Sequence, residues 1–259
     1  MQILGFQFDI VWHDKLANFA HVESLVEDAA PAPGSLLALP EMFSTGFSMD
    51  IDAVAEAENG ATADFLASLA KRRSSYVIGG LVALAEGGLG ANEAAVFGPD
   101  GSLIGKYRKM HPFSFSGEGD HYAAGHDPLV FDWDGVRVCP LVCYDLRFPE
   151  VFRTAVVRGA EVFVVIANWP RVRQKHWEIL LKARAIENQA YVVGVNRVGR
   201  DPTVKYEGGS LILDPRGEPI ANGTDRECAI RAEIDQADLH EYRRHFPALQ
   251  DMKQTFVRA

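Results

Sequence analysis

Cysteine is scarce in this chain: Cys139, Cys143 and Cys228 are the only three among 259 residues. Three thiols cannot make a full disulfide framework, and the pattern fits a reducing compartment. Positive charge is also short. Lysine and arginine number 26 against 35 acids, a formal net charge of -9, and no basic cluster outweighs that excess. Nucleic acid is therefore not an expected partner. A small anionic substrate stays open, because one local arginine can meet it. No apolar run approaches the roughly 20 residues a membrane-spanning helix needs, so no membrane partner is expected. The start, Met1-Gln-Ile-Leu-Gly-Phe, has no basic n-region and does not read as a signal peptide. The expected location is the cytoplasm. The eight histidines show no His-Glu-x-x-His spacing, so no metal site is expected, and no cofactor is expected. Repeats, low-complexity segments and composition shifts are missing too, which predicts a single domain over residues 1–259.

What is present is ordinary globular material, 47% hydrophobic and 24% charged. Leu4, Phe6, Phe8 and Ile10 alternate with polar or small residues and predict a strand with one buried face. Phe19, Val22, Leu25, Val26 and Ala29 recur at helical spacing. Leu36 to Leu39 is a short strand running into Pro40-Glu41. A second helix carries Phe65, Leu66 and Leu69 and closes in an exposed run from Lys71 to Ser75. Strands are predicted over 76–84, 93–97 and 102–109, the last two joined by the turn Pro99-Asp-Gly101. Residues 111–127 lose all periodicity, and so long a loop in a compact domain is commonly functional. After it come strands ending at Cys143, at Asn168 and at Asn196, with helices over about 149–158 and around 177–188. Ser210 to Leu213 and Ala229 to Ile234 read as the last strands, 235–245 as a charged helix, and 247–259 as a tail without a clear apolar face.

The segment Val136-Arg-Val-Cys-Pro-Leu-Val-Cys143-Tyr-Asp-Leu-Arg-Phe-Pro-Glu150 organises the rest. A valine-rich strand ends at a thiol, and Pro149-Glu150 suits the first turn of a helix. Cys143 thus sits on the rim where an open α/β sheet binds ligands. A buried structural thiol fits the same place, since free cysteine is among the most buried residue types. Glu41 likewise follows directly on a strand, where a solvated loop acid is the commoner occupant. Lys109 ends a third strand, and Glu118 stands in the long loop. Together they make chemical sense. The thiolate is the nucleophile, a carboxylate can take its proton once neighbours tune the pair, and an ammonium can meet an oxyanion. Cys139 and Cys228 are read as core. Cys143 has the wrong flanks for a papain-like enzyme, and Gly87-Gly-Leu-Gly90 lacks the context of a nucleotide loop.

Pro40-Glu41-Met42-Phe43, Tyr107-Arg-Lys109-Met-His and Cys143-Tyr-Asp-Leu-Arg-Phe-Pro-Glu150 resemble, in order, the three signature segments of the nitrilase or carbon–nitrogen hydrolase superfamily. Asn168-Trp-Pro and Arg184-Ala-Ile-Glu-Asn-Gln-Ala190 resemble two further blocks, so the likeness spans the chain. It implies an α/β fold, a four-layer α-β-β-α sandwich. It also implies a catalytic triad of Glu41, Lys109 and Cys143, with Glu118 as supporting glutamate. The Tyr144 N–H becomes the backbone oxyanion donor. The segments around Phe43, Phe115 and Trp169-Pro170 are most similar to the omega-amidases, which cleave the terminal amide of 2-oxo acids such as 2-oxoglutaramate and 2-oxosuccinamate. That likeness implies a small amide substrate, with Phe43, Phe115 and Trp169 as pocket walls. Because guanidinium suits a carboxylate, Arg171 or Arg173 is expected on its far end. A homodimer or higher oligomer is expected, associating through the face of the Cys143 strand and the tail 247–259. Rival readings are a nitrilase, an amidase of deaminated glutathione or N-carbamoyl compounds, and a non-catalytic thiol sensor on the same scaffold.

Overall fold

The computed structural model describes residues 1–253. The chain runs β1 (Gln2–Gln7), α1 (Lys15–Ala29), β2 (Leu36–Ala38), α2 (Ile51–Val54), α3 (Ala61–Arg73), β3 (Tyr76–Leu84), β4 (Gly90–Phe97) and β5 (Leu103–Arg108). It continues through α4 (Glu118–His121), β6 (Phe131–Trp133), β7 (Val136–Val142), α5 (Pro149–Val157), β8 (Val162–Ala167), α6 (Gln174–Asn188) and β9 (Tyr191–Asn196). A small hairpin, β10 (Val198–Arg200) and β11 (Lys205–Glu207), precedes β12 (Leu211–Leu213), β13 (Pro219–Asn222), β14 (Cys228–Glu233) and α7 (Gln236–His245). Two six-stranded mixed sheets result, in the orders β14-β1-β2-β3-β4-β5 and β13-β12-β9-β8-β7-β6. Each has a parallel centre: β1, β2 and β3 in the first, β7, β8 and β9 in the second.

Two apolar clusters define the layers. One joins Leu4, Phe6, Leu37 and Val77 to Val22 and Val26 of α1 and to Leu66 and Leu69 of α3. The other joins Ile3, Leu36, Ile78 and Val96 of the first sheet to the valines of β7, β8 and β9, and beyond them to Phe152 of α5 and Leu181 of α6. Helices, sheet, sheet and helices therefore stack as the expected four-layer α-β-β-α sandwich. Each fully buried aliphatic or aromatic side chain of these clusters contributes roughly 1.5–3 kcal/mol by leaving water. Sandwiching also corrects the reading of β1, whose residues Ile3 to Gln7 are all buried. Its small and polar positions face the second sheet: a Cβ on Gly5 would meet Val195 and Ile230. Gln7 is satisfied by giving hydrogen bonds to the Thr224 and Arg226 carbonyls and accepting from Ser210.

Other expectations also need correction. Ser75 is buried, not part of the exposed run, and its hydroxyl donates to the Arg73 carbonyl at 2.9 Å. Cys139 is core, but Cys228 is half-buried, because it opens β14 on the outermost strand of its sheet. The β10–β11 hairpin has no counterpart in the sequence reading. The tail divides: Leu249 and Met252 pack against the chain's own core, and Arg153 donates to the Met252 sulfur. Residues 254–259 of the tail lie outside the described residues. Among the described residues, no helix is long and apolar enough to cross a membrane.

Candidate active site

Four strand ends converge between the sheets, and the segments that leave them, with the start of α4, carry the polar groups. Glu41 follows β2 in a turn that runs hard against β3. A Cβ on Gly80 would stand 2.4 Å from the Met42 nitrogen and 2.5 Å from the Glu41 Cα, so glycine is required there. Lys109 directly follows β5, Glu118 opens α4, Cys143 follows β7, and Asn168 follows β8. The structure therefore brings together all four residues expected from the sequence. Glu41, which could have been a solvated loop acid, is fully buried, as are Glu118 and, within a per cent, Lys109.

Their contacts form a closed polar cluster. The Lys109 ammonium donates to Glu41 Oε1 at 2.9 Å and to both Glu118 oxygens, at 3.1 and 2.8 Å. Glu41 Oε2 accepts from the Asn168 N–H at 2.9 Å, while the Asn168 amide donates to the Glu41 carbonyl at 2.7 Å. Glu118 also accepts from the Phe113 N–H, which fastens the long loop to the cluster. Burial alone would push the Glu41 carboxyl up. The Lys109 ammonium and the donors from Asn92 and Asn168 outweigh it and hold the group below the usual carboxylate range. Burial would likewise lower Lys109, but Glu118 and Glu41 drive it well above the ordinary lysine value. At Cys143 burial and then the Glu41 charge push the thiol well up, against the pull of Lys109. The resting site is thus a neutral thiol beside an ionised carboxylate, with an ammonium between two acids.

Cys143 sits at φ +48°, in the left-handed region. A β-carbon there costs roughly 1–3 kcal/mol, a strain that over-determined surroundings can hold. Those surroundings are Asp145 and Arg184. Buried Asp145 accepts from the Val142 N–H (3.1 Å), the Tyr107 hydroxyl (2.8 Å), and the His111 N–H and ring (3.0 and 2.8 Å). It ties the turn of the thiol to the strand that delivers Lys109. Arg184 of α6 donates twice to the Leu146 carbonyl, at 3.1 and 2.8 Å. The amphipathic pattern of α6 placed Arg184 on its polar face, yet it is buried. Its position within the Arg184–Ala190 block was the available signal.

In front of the thiol lies a pocket of about 270 Å³. Phe115, Trp169 and Arg173 line it, as expected from the sequence, and so does Tyr144, the residue after the thiol. Two expected residues are elsewhere. Phe43 is wholly buried against Phe19 and Phe65 in the outer core, and Phe47, four residues on, takes the pocket wall. Arg171 is exposed and paired with Glu207 at 3.2 Å, outside the pocket. Arg147 is inside instead. Its guanidinium lies 5.1 Å from the Trp169 ring centre and 5.9 Å from that of Tyr144. Arg173 lies 5.1 and 5.8 Å from the Phe113 and Phe115 rings. Neither arginine is paired with a carboxylate among the described residues. The far wall is Asp201, Thr203, Val204 and Tyr206 of the β10–β11 hairpin, for which the sequence offered no signal.

The Carbon-nitrogen hydrolase family matches residues 5–244. This chain belongs to that family. Among its relatives is "Omega-amidase YafV" of Yersinia enterocolitica, 41% identical over 95% of this chain and 94% of its own length. "2-oxoglutaramate amidase" of Bacillus subtilis is 35% identical over 95% of each. The solved structure of XC1258 from Xanthomonas campestris, a CN-hydrolase superfamily protein with an arsenic adduct in the active site, superposes with a TM-score of 0.92. It is 36% identical and covers 98% of this chain and 97% of that one. The carbon–nitrogen hydrolase fold thus accounts for both sheets and for the convergence of their strand ends.

Proposed function

We propose that this hydrolase cleaves the terminal amide of a 2-oxo acid amide, such as 2-oxoglutaramate, to the 2-oxo dicarboxylate and ammonia. The observation that carries the reading is a buried Glu41–Lys109–Glu118–Cys143 cluster opening into a pocket with two arginines that have no carboxylate partner among the described residues. Relatives named for omega-amidase and 2-oxoglutaramate amidase activity support it. In this mechanism Glu41 takes the Cys143 proton as sulfur attacks the amide carbon. The amide oxygen gains negative charge and is met by the Lys109 ammonium and the Tyr144 N–H. Glu41 returns the proton to the departing ammonia, leaving a thioester. It then activates water, whose attack releases the acid and restores the thiol. Glu118 holds Lys109 and orients the amide. Arg147 and Arg173, on aromatic faces that keep each fork oriented, receive the carboxylate at the other end.

The chain acts as one domain in the cytoplasm, a reading its three unpaired thiols support. It works as a homodimer or higher oligomer through the outer layer of the Cys143 sheet, where Val157, Ile179 and Ile186 are exposed on α5 and α6. Light scattering on the purified protein tests that association, and a monomer would refute it. Ammonia release from 2-oxoglutaramate, glutamine and a simple aliphatic nitrile, compared side by side, tests the activity. The reading requires the 2-oxo amide to have much the highest kcat/KM. Preference for the nitrile or for an N-carbamoyl compound would assign another reaction to the same cluster.

A further inference from the structure

Asn92 is the third residue of β4, and nothing in its sequence neighbourhood marks it. In the fold it is buried beneath the catalytic cluster. Its side-chain nitrogen donates to Glu41 Oε1 at 2.7 Å and to Glu118 Oε1 at 2.8 Å. Both partners are carboxylates, so this atom is the amide nitrogen and both its hydrogens are used. Lys109 donates to the same two oxygens, so Lys109 and Asn92 close a ring of alternating donors and acceptors. Meanwhile Asn92 Oδ1 is buried with no hydrogen-bond partner among the described residues. A buried acceptor left unpaired is destabilising. An asparagine kept only for packing would not carry that penalty, whereas one kept for its NH2 group would.

We propose that Asn92 is a positioning residue for the reaction. Its amide clamps Glu41 to Glu118 and so fixes the base carboxylate against Cys143 while one ammonium serves both acids. The proposal rests on the reading of Glu41 as base. Lys109 alone cannot hold both carboxylates in place, because two buried negative charges share one positive one and repel each other. Asn92 adds two donors without adding charge. It also favours the ionised form of Glu41. The other groups that face Glu41 are Lys109 after β5, Glu118 of α4, the Cys143 thiol after β7, and the phenols Tyr122 and Tyr206, both of which sense its charge.

Asn92→Leu and Asn92→Ser, with Glu41→Gln alongside, test this by steady-state kinetics across pH and by circular dichroism. Asn92 does not line the pocket, so KM should stay within about twofold of wild type while kcat falls roughly 10–100-fold, the scale of a misplaced catalytic group. Removing a donor to an ionised carboxylate raises its pKa, so the acid limb of kcat/KM should move up by roughly one pH unit in Asn92→Leu. Asn92→Ser keeps one hydroxyl donor and should fall between, and it carries the test if the leucine variant does not fold. A folded variant of either kind with reduced kcat and an unmoved acid limb would overturn the proposal, as would one with wild-type kcat. If Glu41→Gln itself kept near-normal rates, the assignment of the base would fall instead.

Discussion

The floor of the site and its mouth are built in opposite ways. On the floor, Glu41, Glu118 and Lys109 are almost completely shut from water, and every charged atom has a partner from a different strand end. At the mouth, Phe115 is 84% exposed. The arginines there rest on aromatic faces, and the far wall is a two-stranded hairpin outside both sheets. The contrast teaches a division of labour. Charges that must act on a thiol gain strength in a dry, rigid frame, where the effective dielectric is low and little reorganises. Groups proposed to choose a substrate sit on loops, which can change without disturbing that frame. Substitutions should therefore act on turnover at the floor and on KM at the mouth.

The largest loss is expected for Lys109→Met, which removes the proposed oxyanion donor and leaves two buried carboxylates without their cation. The rate should fall ~100–1000-fold or more; stopped assays with a folded-state check by circular dichroism would read it. Glu118→Gln keeps shape and removes charge, and kcat should drop roughly 10–100-fold through a displaced Lys109. Unchanged activity with an unchanged spectrum would demote Glu118 to a loop acid. At the mouth, Arg147→Met and Arg173→Met should each raise KM for 2-oxoglutaramate about tenfold or more, the scale of one charge-assisted hydrogen bond. A small uncharged amide should be nearly unaffected. Equal losses on both substrates would point to disturbed geometry and erase the division between floor and mouth. The smallest effects on activity belong to the two residues that lie outside the pocket. Arg171→Ala should leave kcat and KM within about twofold, since exposed ion pairs are weak. Phe43→Ala should spare KM but cost roughly 3–5 kcal/mol of stability, measured by urea unfolding, because it opens a cavity in the outer core.

Much of this was legible in the sequence, and the exceptions have physical causes. The fold, the family and the four residues of the cluster were readable because Glu41, Lys109 and Cys143 each sit in a short motif after a strongly patterned strand, and Glu118 stands in the long loop where periodicity is lost. Phe43 misled because motif likeness alone put it in the pocket: through a turn with positive φ at Met42 and Gly46, Phe43 enters the outer core and Phe47 the pocket. Arg171 and Arg173 could not be separated by spacing. Residues 171–173 form a 3-10 turn, and at three residues per turn two positions two apart point to different sides. Arg147 lies in the segment after the thiol with no pattern to single it out, and the 3-10 turn it closes delivers it to the pocket. Asn92 and Asp145 act through contacts 26 to 51 and 34 to 38 residues away in sequence. No local pattern can report such partners.

The central claim is that Cys143 carries the acyl group, with the floor of the site serving that one atom. Rapid-quench mass spectrometry on 2-oxoglutaramate turnover tests it most directly. The account predicts that wild-type protein gains the mass of the acyl group on the peptide containing Cys143. The adduct should be labile to hydroxylamine, while Cys143→Ser shows neither adduct nor turnover and keeps its fold. An adduct on Cys139 or Cys228, or near-normal turnover by Cys143→Ser, would contradict it.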